Sequence, residues 1–149
     1  MARVAAFTLV ELVLVVAIVA ILTTIAIPSY SSYVDATNVA QAKGDIVQIE
    51  LTIARFVAER QVFPDTLSDL GNGAFTDPWG RPYQYLNLDN IHGNGHARKD
   101  KSLVPINSDY DLYSMGKDGL SAAPLTAKPS QDDVVRARNG AFVGLASDF

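Results

Sequence analysis

Glu11 is a residue whose type is at odds with its surroundings. It lies in Phe7–Pro28, FTLVELVLVVAIVAILTTIAIP, a run with no other charged side chain. A carboxylate at the centre of a membrane-spanning helix costs roughly 2.5–3.5 kcal/mol, and less near an end. Some cation must offset that cost, or Glu11 is a poor choice for a plain anchor. A second candidate for chemistry is the late group of acids, Asp109, Asp111, Asp118, Asp132 and Asp133. Oxygen-rich loops of this kind can hold calcium. The spacing fails the EF-hand template, because Tyr113 falls where an oxygen ligand is needed and Ser114 where the turn needs glycine. By residue chemistry alone these are solvated loop acids. His92 and His96 stand four apart in HGNGH. Such a pair shares a metal when a helix carries it, but Gly93 and Gly95 point to a loop. Arg98-Lys99-Asp100-Lys101 reads most simply as a solvated turn, with a touch on an acidic patch of a neighbouring subunit as the remoter alternative.

Several function classes find no support. The chain has no glycine-rich nucleotide loop, no HExxH, no G-x-S-x-G elbow and no cysteine nucleophile. It reads as a non-enzyme. A net charge of −4 argues against a nucleic-acid partner. Without cysteine there is no disulfide, so an exported head must rest on its core, a metal or its neighbours.

The elements that position these residues follow from the apolar pattern. As a helix, the 21 residues from Phe7 to Ile27 reach about 30 Å, the thickness of a bilayer core. Arg3 precedes them, which keeps Met1–Ala6 cytoplasmic and sends residues 29–149 across the membrane. Three readings compete. A cleaved signal peptide has a shorter apolar region and a small-x-small site, for which Thr24-Ile25-Ala26 is a weak match. A plain anchor explains the length but not Glu11. In the third reading, Glu11 meets a cation in another copy of the same chain.

Pro28 disfavours helical geometry at Ile27 and should kink or loosen the helix. The pattern beyond it predicts continuation. Val39, Ala42, Ile46, Ile49, Ile53 and Phe56 recur at steps of three and four, and Val47, Leu51 and Ala54 widen the stripe. The helix should end near Arg60, giving a length on the order of 80 Å from Phe7. After Pro64, turn formers dominate: Gly71-Asn72-Gly73, Asp77-Pro78-Trp79-Gly80 and Gly93-Asn94-Gly95. Strands are expected at Tyr83–Leu88, Tyr110–Ser114 and Ala141–Leu145, with Leu103–Ile106 weaker because Pro105 interrupts it. Trp79, Tyr83 and Tyr85 read as core. The fold class is α+β: a long N-terminal helix packed against a small antiparallel sheet.

Three segments carry a family resemblance. Ala6-Phe7-Thr8-Leu9-Val10-Glu11-Leu12, with the apolar run to Pro28, closely resembles the class III signal of type IV pilins and type II secretion pseudopilins. Asp77-Pro-Trp-Gly-Arg-Pro-Tyr-Gln-Tyr-Leu86 and Tyr110-Asp-Leu-Tyr-Ser-Met-Gly-Lys-Asp118-Gly119 resemble segments of the major (G-type) pseudopilin. Ala6 departs from the family, which usually has glycine there. The resemblance implies a prepilin leader at residues 1–6, cleaved between Ala6 and Phe7 by a prepilin peptidase that also methylates the Phe7 amine. It implies a filament-core helix at 7–28, an amphipathic half at 29–62 and a β-rich head at 63–149. An α-amino group is largely cationic at neutral pH, so Glu11 of one subunit can pair with Phe7 of another. Such a pair sets register more than stability, since a displaced subunit leaves two buried charges unpaired.

The resemblance also implies calcium in the late loop, held by Asp118, by Asp132 or Asp133, and by a carbonyl near Met115. Against that match, Leu120-Ser-Ala-Ala-Pro124 stands where the family has a glycine run. The implied function is a structural subunit of a helical periplasmic pseudopilus. It would sit in the inner membrane as a single-pass protein, with a cytoplasmic N terminus and a periplasmic head. Its partners would be copies of itself, minor pseudopilins, the prepilin peptidase, and an assembly platform driven by a cytoplasmic ATPase. A type IV pilus subunit is the alternative within the family. A membrane-anchored binding module that never polymerises is the alternative outside it.

Overall fold

A computed structural model describes residues 7–71, 73–91, 93 and 95–149, with the backbone alone at Pro28 and Ser29. The chain divides into two compact units, Met1–Ala36 and Thr37–Phe149. Helix α1, Leu9–Arg60, contributes to both. Its backbone remains helical through Pro28, as the flanking pattern predicts. Long apolar helices absorb the loss of one donor. It ends at Arg60, where Gln61 takes up a left-handed φ of 59°.

In the first unit every described side chain from Leu9 to Ile27 is exposed. The segment is long and apolar enough to cross a membrane, and none of it is buried within the chain. Its two threonines bond to the helix's own backbone. The Thr23 hydroxyl donates to the Val19 carbonyl and the Thr24 hydroxyl to the Ala20 carbonyl, which leaves the outer face of the helix apolar.

The second unit is a four-stranded antiparallel sheet in the order β1-β2-β3-β4, covered on both faces. The strands are β1 (Gln84–Asn87), β2 (Tyr110–Ser114), β3 (Val134–Ala137) and β4 (Phe142–Leu145). Ala42, Ile46, Ile49 and Ile53 of α1 pack on one face with Tyr83, Tyr110, Leu112 and Val134. The other face holds Ile106, Leu125, Val135, Ala137 and Ala146. Alternation along β3 therefore sends Val134 to the helix and Val135 away from it. Tyr83 and Tyr85 belong to the helix-side core, and each anchors its hydroxyl. Tyr83 donates to Asp45 at 3.0 Å and Tyr85 to the Pro64 carbonyl at 2.9 Å.

The structure adds one strand and corrects two expectations. β3 was not foreseen, because all four of its residues are buried and show no alternation. Leu103–Ile106 forms no strand; Pro105 lacks a ladder donor, and only an isolated bridge pairs Asp100 with Leu103. Val47, Leu51 and Ala54 do not widen the buried stripe. They are exposed, Leu51 at 68%, because the sheet covers only the side of α1 that carries Ile46, Ile49 and Ile53.

Candidate assembly site and acidic loop

The start of α1 explains part of the Glu11 question. Glu11 Oε2 accepts from the Thr8 main-chain N–H at 2.9 Å and from the Thr8 hydroxyl at 2.8 Å. The Glu11 N–H donates back to Thr8 Oγ1 at 3.2 Å. This reciprocal capping satisfies groups that a helix start leaves unpaired. The anion also sits at the positive end of the helix dipole. The sequence signal for it is Thr8 followed three residues later by Glu11 before an apolar run. Phe7 is exposed beside it. Ala6 lies outside the described residues.

The acidic loop runs from the end of β2 to the start of β3, and Asp77 fixes its entry. Asp77 Oδ1 accepts from the N–H groups of Trp79 and Arg81, which closes the Asp-Pro-Trp-Gly turn. The Ser114 hydroxyl donates to Asp77 Oδ2 and accepts from the Gly116 N–H. Arg81 then reaches across the same loop, donating to the carbonyls of Gly116 at 2.7 Å and Lys117 at 3.3 Å. Gly116 has a φ of 61° and lies where a Cβ would run into the Asp132 carbonyl; Gly119, at 70°, leaves room for the Arg81 guanidinium.

Asp118 and Asp132 meet in this loop. The Asp118 N–H donates to Asp132 Oδ2 at 3.0 Å, and Asp118 Oδ1 accepts from the Leu120 N–H at 2.7 Å. The Met115 carbonyl accepts from the Gly119 N–H at 3.2 Å. Asp133 points elsewhere. It is fully buried, and its Oδ2 accepts from Arg98 at 2.5 Å and from the Ser121 hydroxyl at 2.6 Å. Burial pushes its carboxyl up to about 6, against the Ser121 and Arg98 bonds that pull it down. Asp111 is buried too, and burial raises it despite the bonds from the Arg98 N–H and Asn107. The expectation of solvated acids is therefore corrected for Asp111 and Asp133. So is the solvated turn at 98–101: Arg98 is only 3% exposed. His96 lies in an exposed bend, and His92 lies outside the described residues.

The chain is 31% identical over 134 aligned residues to type II secretion system core protein G of Pseudomonas aeruginosa. The match covers 76% of this chain and 83% of that protein. This chain belongs to the core protein G family, the major pseudopilins of type II secretion. No family model matches it, and no solved structure does. The long helix and antiparallel sheet of the head agree with the pilin-like architecture. The two head segments that carry the resemblance hold one another: Asp77 and Arg81 of the first bind Ser114, Gly116 and Lys117 of the second.

Of the oxygens implied for calcium, the structure brings Asp118 and Asp132 together and turns Asp133 away from them. Calcium asks for roughly six to eight oxygens converging at about 2.3–2.6 Å. Here Asp118, Asp132 and the Met115 carbonyl each accept a main-chain N–H of the loop itself. Asp133 is engaged by a guanidinium, whose charge repels a second cation. Among the described residues no three His, Cys, Asp or Glu side chains gather as a metal-holding group.

A second buried arginine ties α1 to the sheet. Arg136 donates to both oxygens of Asp109 at 2.8 Å, to Glu50 Oε1 at 2.8 Å, and lies 4.0 Å over the Tyr110 ring. Sequence reasoning singled out neither Arg98 nor Arg136 as a buried charge, because their partners lie 35 and 86 residues away for Asp133 and Glu50.

Proposed function

We propose that this pseudopilin is a structural subunit of a periplasmic pseudopilus. It waits in the inner membrane, is cut between Ala6 and Phe7, is methylated on the new amine, and stacks helically with copies of itself. The observation that carries this reading is the apolar surface of α1 from Leu9 to Ile27, exposed along its whole length with Glu11 at its start. A folded head has no use for such a surface in water. Membrane lipid covers it before assembly, and neighbouring helices cover it afterwards. The Glu11 carboxylate then accepts from the Phe7 amine of a neighbour. Capping does not prevent this, since a carboxylate has about four lone-pair sites and the cap uses Oε2. Pro28 sits within this interface segment. The assembly platform and minor pseudopilins are partners in that process.

Mass spectrometry of the protein from cells that co-express the peptidase tests the processing step. The expected N terminus is methylated Phe7. Electron microscopy of the same cells tests assembly. An uncut N terminus together with an absence of fibres would return the chain to an anchored, solitary protein.

A further inference from the structure

Arg98 stands where several oxygens of the loop converge. It rises from a stretch that lies on the sheet face opposite α1. Its main-chain N–H donates to buried Asp111 at 2.6 Å, and its carbonyl accepts from Ile106 at 3.0 Å. The side chain lies 4.2 Å over the Tyr113 ring. Its Nη2 donates to Asp133 at 2.5 Å. Its Nη1 donates to the Ser121 hydroxyl at 2.5 Å and to the Ala122 carbonyl at 2.7 Å. The three acceptors are a carboxylate, a hydroxyl and a main-chain carbonyl, an oxygen set of the type that suits a hard cation. They come from the interior of the loop and from its end at Asp133, and they converge on one positive charge.

The same convergence orders the rest of the loop. The Ser121 hydroxyl donates a hydrogen bond to Asp133 Oδ2 at 2.6 Å. Ala122 is held in turn by Ser130, which accepts from its N–H and donates to its carbonyl at 2.8 Å. The Lys99 N–H donates to the Ala123 carbonyl, and the Lys99 carbonyl accepts from the Leu125 N–H. Residues 121–125 therefore lie against 98–99 with the guanidinium at the junction.

We infer that the Arg98 guanidinium is the built-in cation of this loop, gathering Asp133, Ser121 and the Ala122 carbonyl in place of a metal ion, so that the head holds its fold without calcium. An arginine differs from an ion in two ways. It cannot be removed by a chelator, and its planar fork fixes the direction of each bond. The pair is not fully satisfied, since among the described residues Arg98 Nε and Asp133 Oδ1 are buried without a hydrogen-bond partner. Its work is therefore placement of the loop more than net stability.

The test is thermal unfolding and limited proteolysis of the full chain in detergent, in EDTA and in millimolar calcium chloride, beside equilibrium binding of radiolabelled calcium. The wild type should show one Tm in both buffers and no stoichiometric calcium. Arg98→Gln should lose roughly 10 °C or more in Tm and gain cleavage within residues 115–133. The double variant Arg98→Met with Asp133→Leu removes both charges and should melt above Arg98→Gln. A wild-type Tm that falls in EDTA, or one calcium bound per chain, overturns the inference. So does an Arg98→Gln variant with wild-type melting and cleavage, or a double variant no more stable than that single one.

Discussion

The Ser114 hydroxyl at the end of β2 donates to Asp77 Oδ2 at 2.5 Å, across 37 residues of chain. Asp77 is nearly buried and also receives the Trp79 and Arg81 N–H groups. One carboxylate thus closes a turn and fastens it to the sheet. Asp77→Ala leaves three donors without their acceptor and should cost about 3 kcal/mol, while Ser114→Ala, which removes one bond, should cost about 1 kcal/mol. Urea denaturation of the full chain in detergent, followed by Trp79 fluorescence, measures both. Equal losses would mean that the turn does not depend on Asp77 beyond Ser114.

Arg136 makes a two-pronged contact with Asp109 and a third bond to Glu50. Lysine cannot reproduce that fork. Arg136→Met strands two partly exposed acids and should destabilise by about 3 kcal/mol, and Arg136→Lys should recover less than half of that. The same denaturation assay decides. Full recovery by lysine would show that charge alone suffices there.

Glu11 has two roles that substitution can separate. Glutamine keeps the cap with Thr8 but removes the charge. Glu11→Gln should keep wild-type helicity in detergent by circular dichroism and yet form few or disordered fibres by electron microscopy. Thr8→Val should fray the helix start while leaving the carboxylate to its neighbour. Normal fibres from Glu11→Gln would remove the charge pair from the account of assembly.

Asp133 makes stability depend on pH in a definite direction. Burial, with Asp132 adding to it, lifts the folded carboxyl to about 6 against the pull of Ser121 and Arg98. The unfolded group titrates near 3.9. Between those values the folded chain holds a proton that the unfolded chain has released, so this contribution is present at low pH and is lost as pH rises through the folded value. Relative to Asp133→Asn, the wild type should lose stability as pH is raised from about 4 to about 7. Urea midpoints for the two proteins across that range check the sign, and a gap that grows in favour of the wild type contradicts it.

Much of this architecture was legible before the structure. The stripe Ala42, Ile46, Ile49 and Ile53 marks the buried face of α1, and Tyr110–Ser114 is a strand with the bounds expected. Local periodicity and turn chemistry suffice for such elements. β3 was hidden because a strand buried on both faces has no period to read. The Arg138-Asn139-Gly140 turn after it was the available signal, and it joins β3 to β4 as a hairpin. Arg98 was misread for a different reason. A basic residue beside Lys99, Asp100 and Lys101 looks solvated, and nothing local announces a carboxylate waiting 35 residues on. The two head motifs were recognised as separate strings, whereas Asp77, Arg81 and Ser114 make them one object.

The outer side of α1 in the head unit holds Ala40, Gly44, Val47, Leu51, Ala54 and Ala58, all exposed and spaced by alternating steps of four and three. That ridge recurs every seven residues, while the helix turns every 3.6, so it slips around the rod by about 20° per repeat. A companion rod that keeps to the ridge must coil around it with a left hand, and crossing it at a steep angle would forfeit all but one or two of these seats. The handedness with which two such rods embrace is thus already written on the side of the helix that the sheet leaves bare.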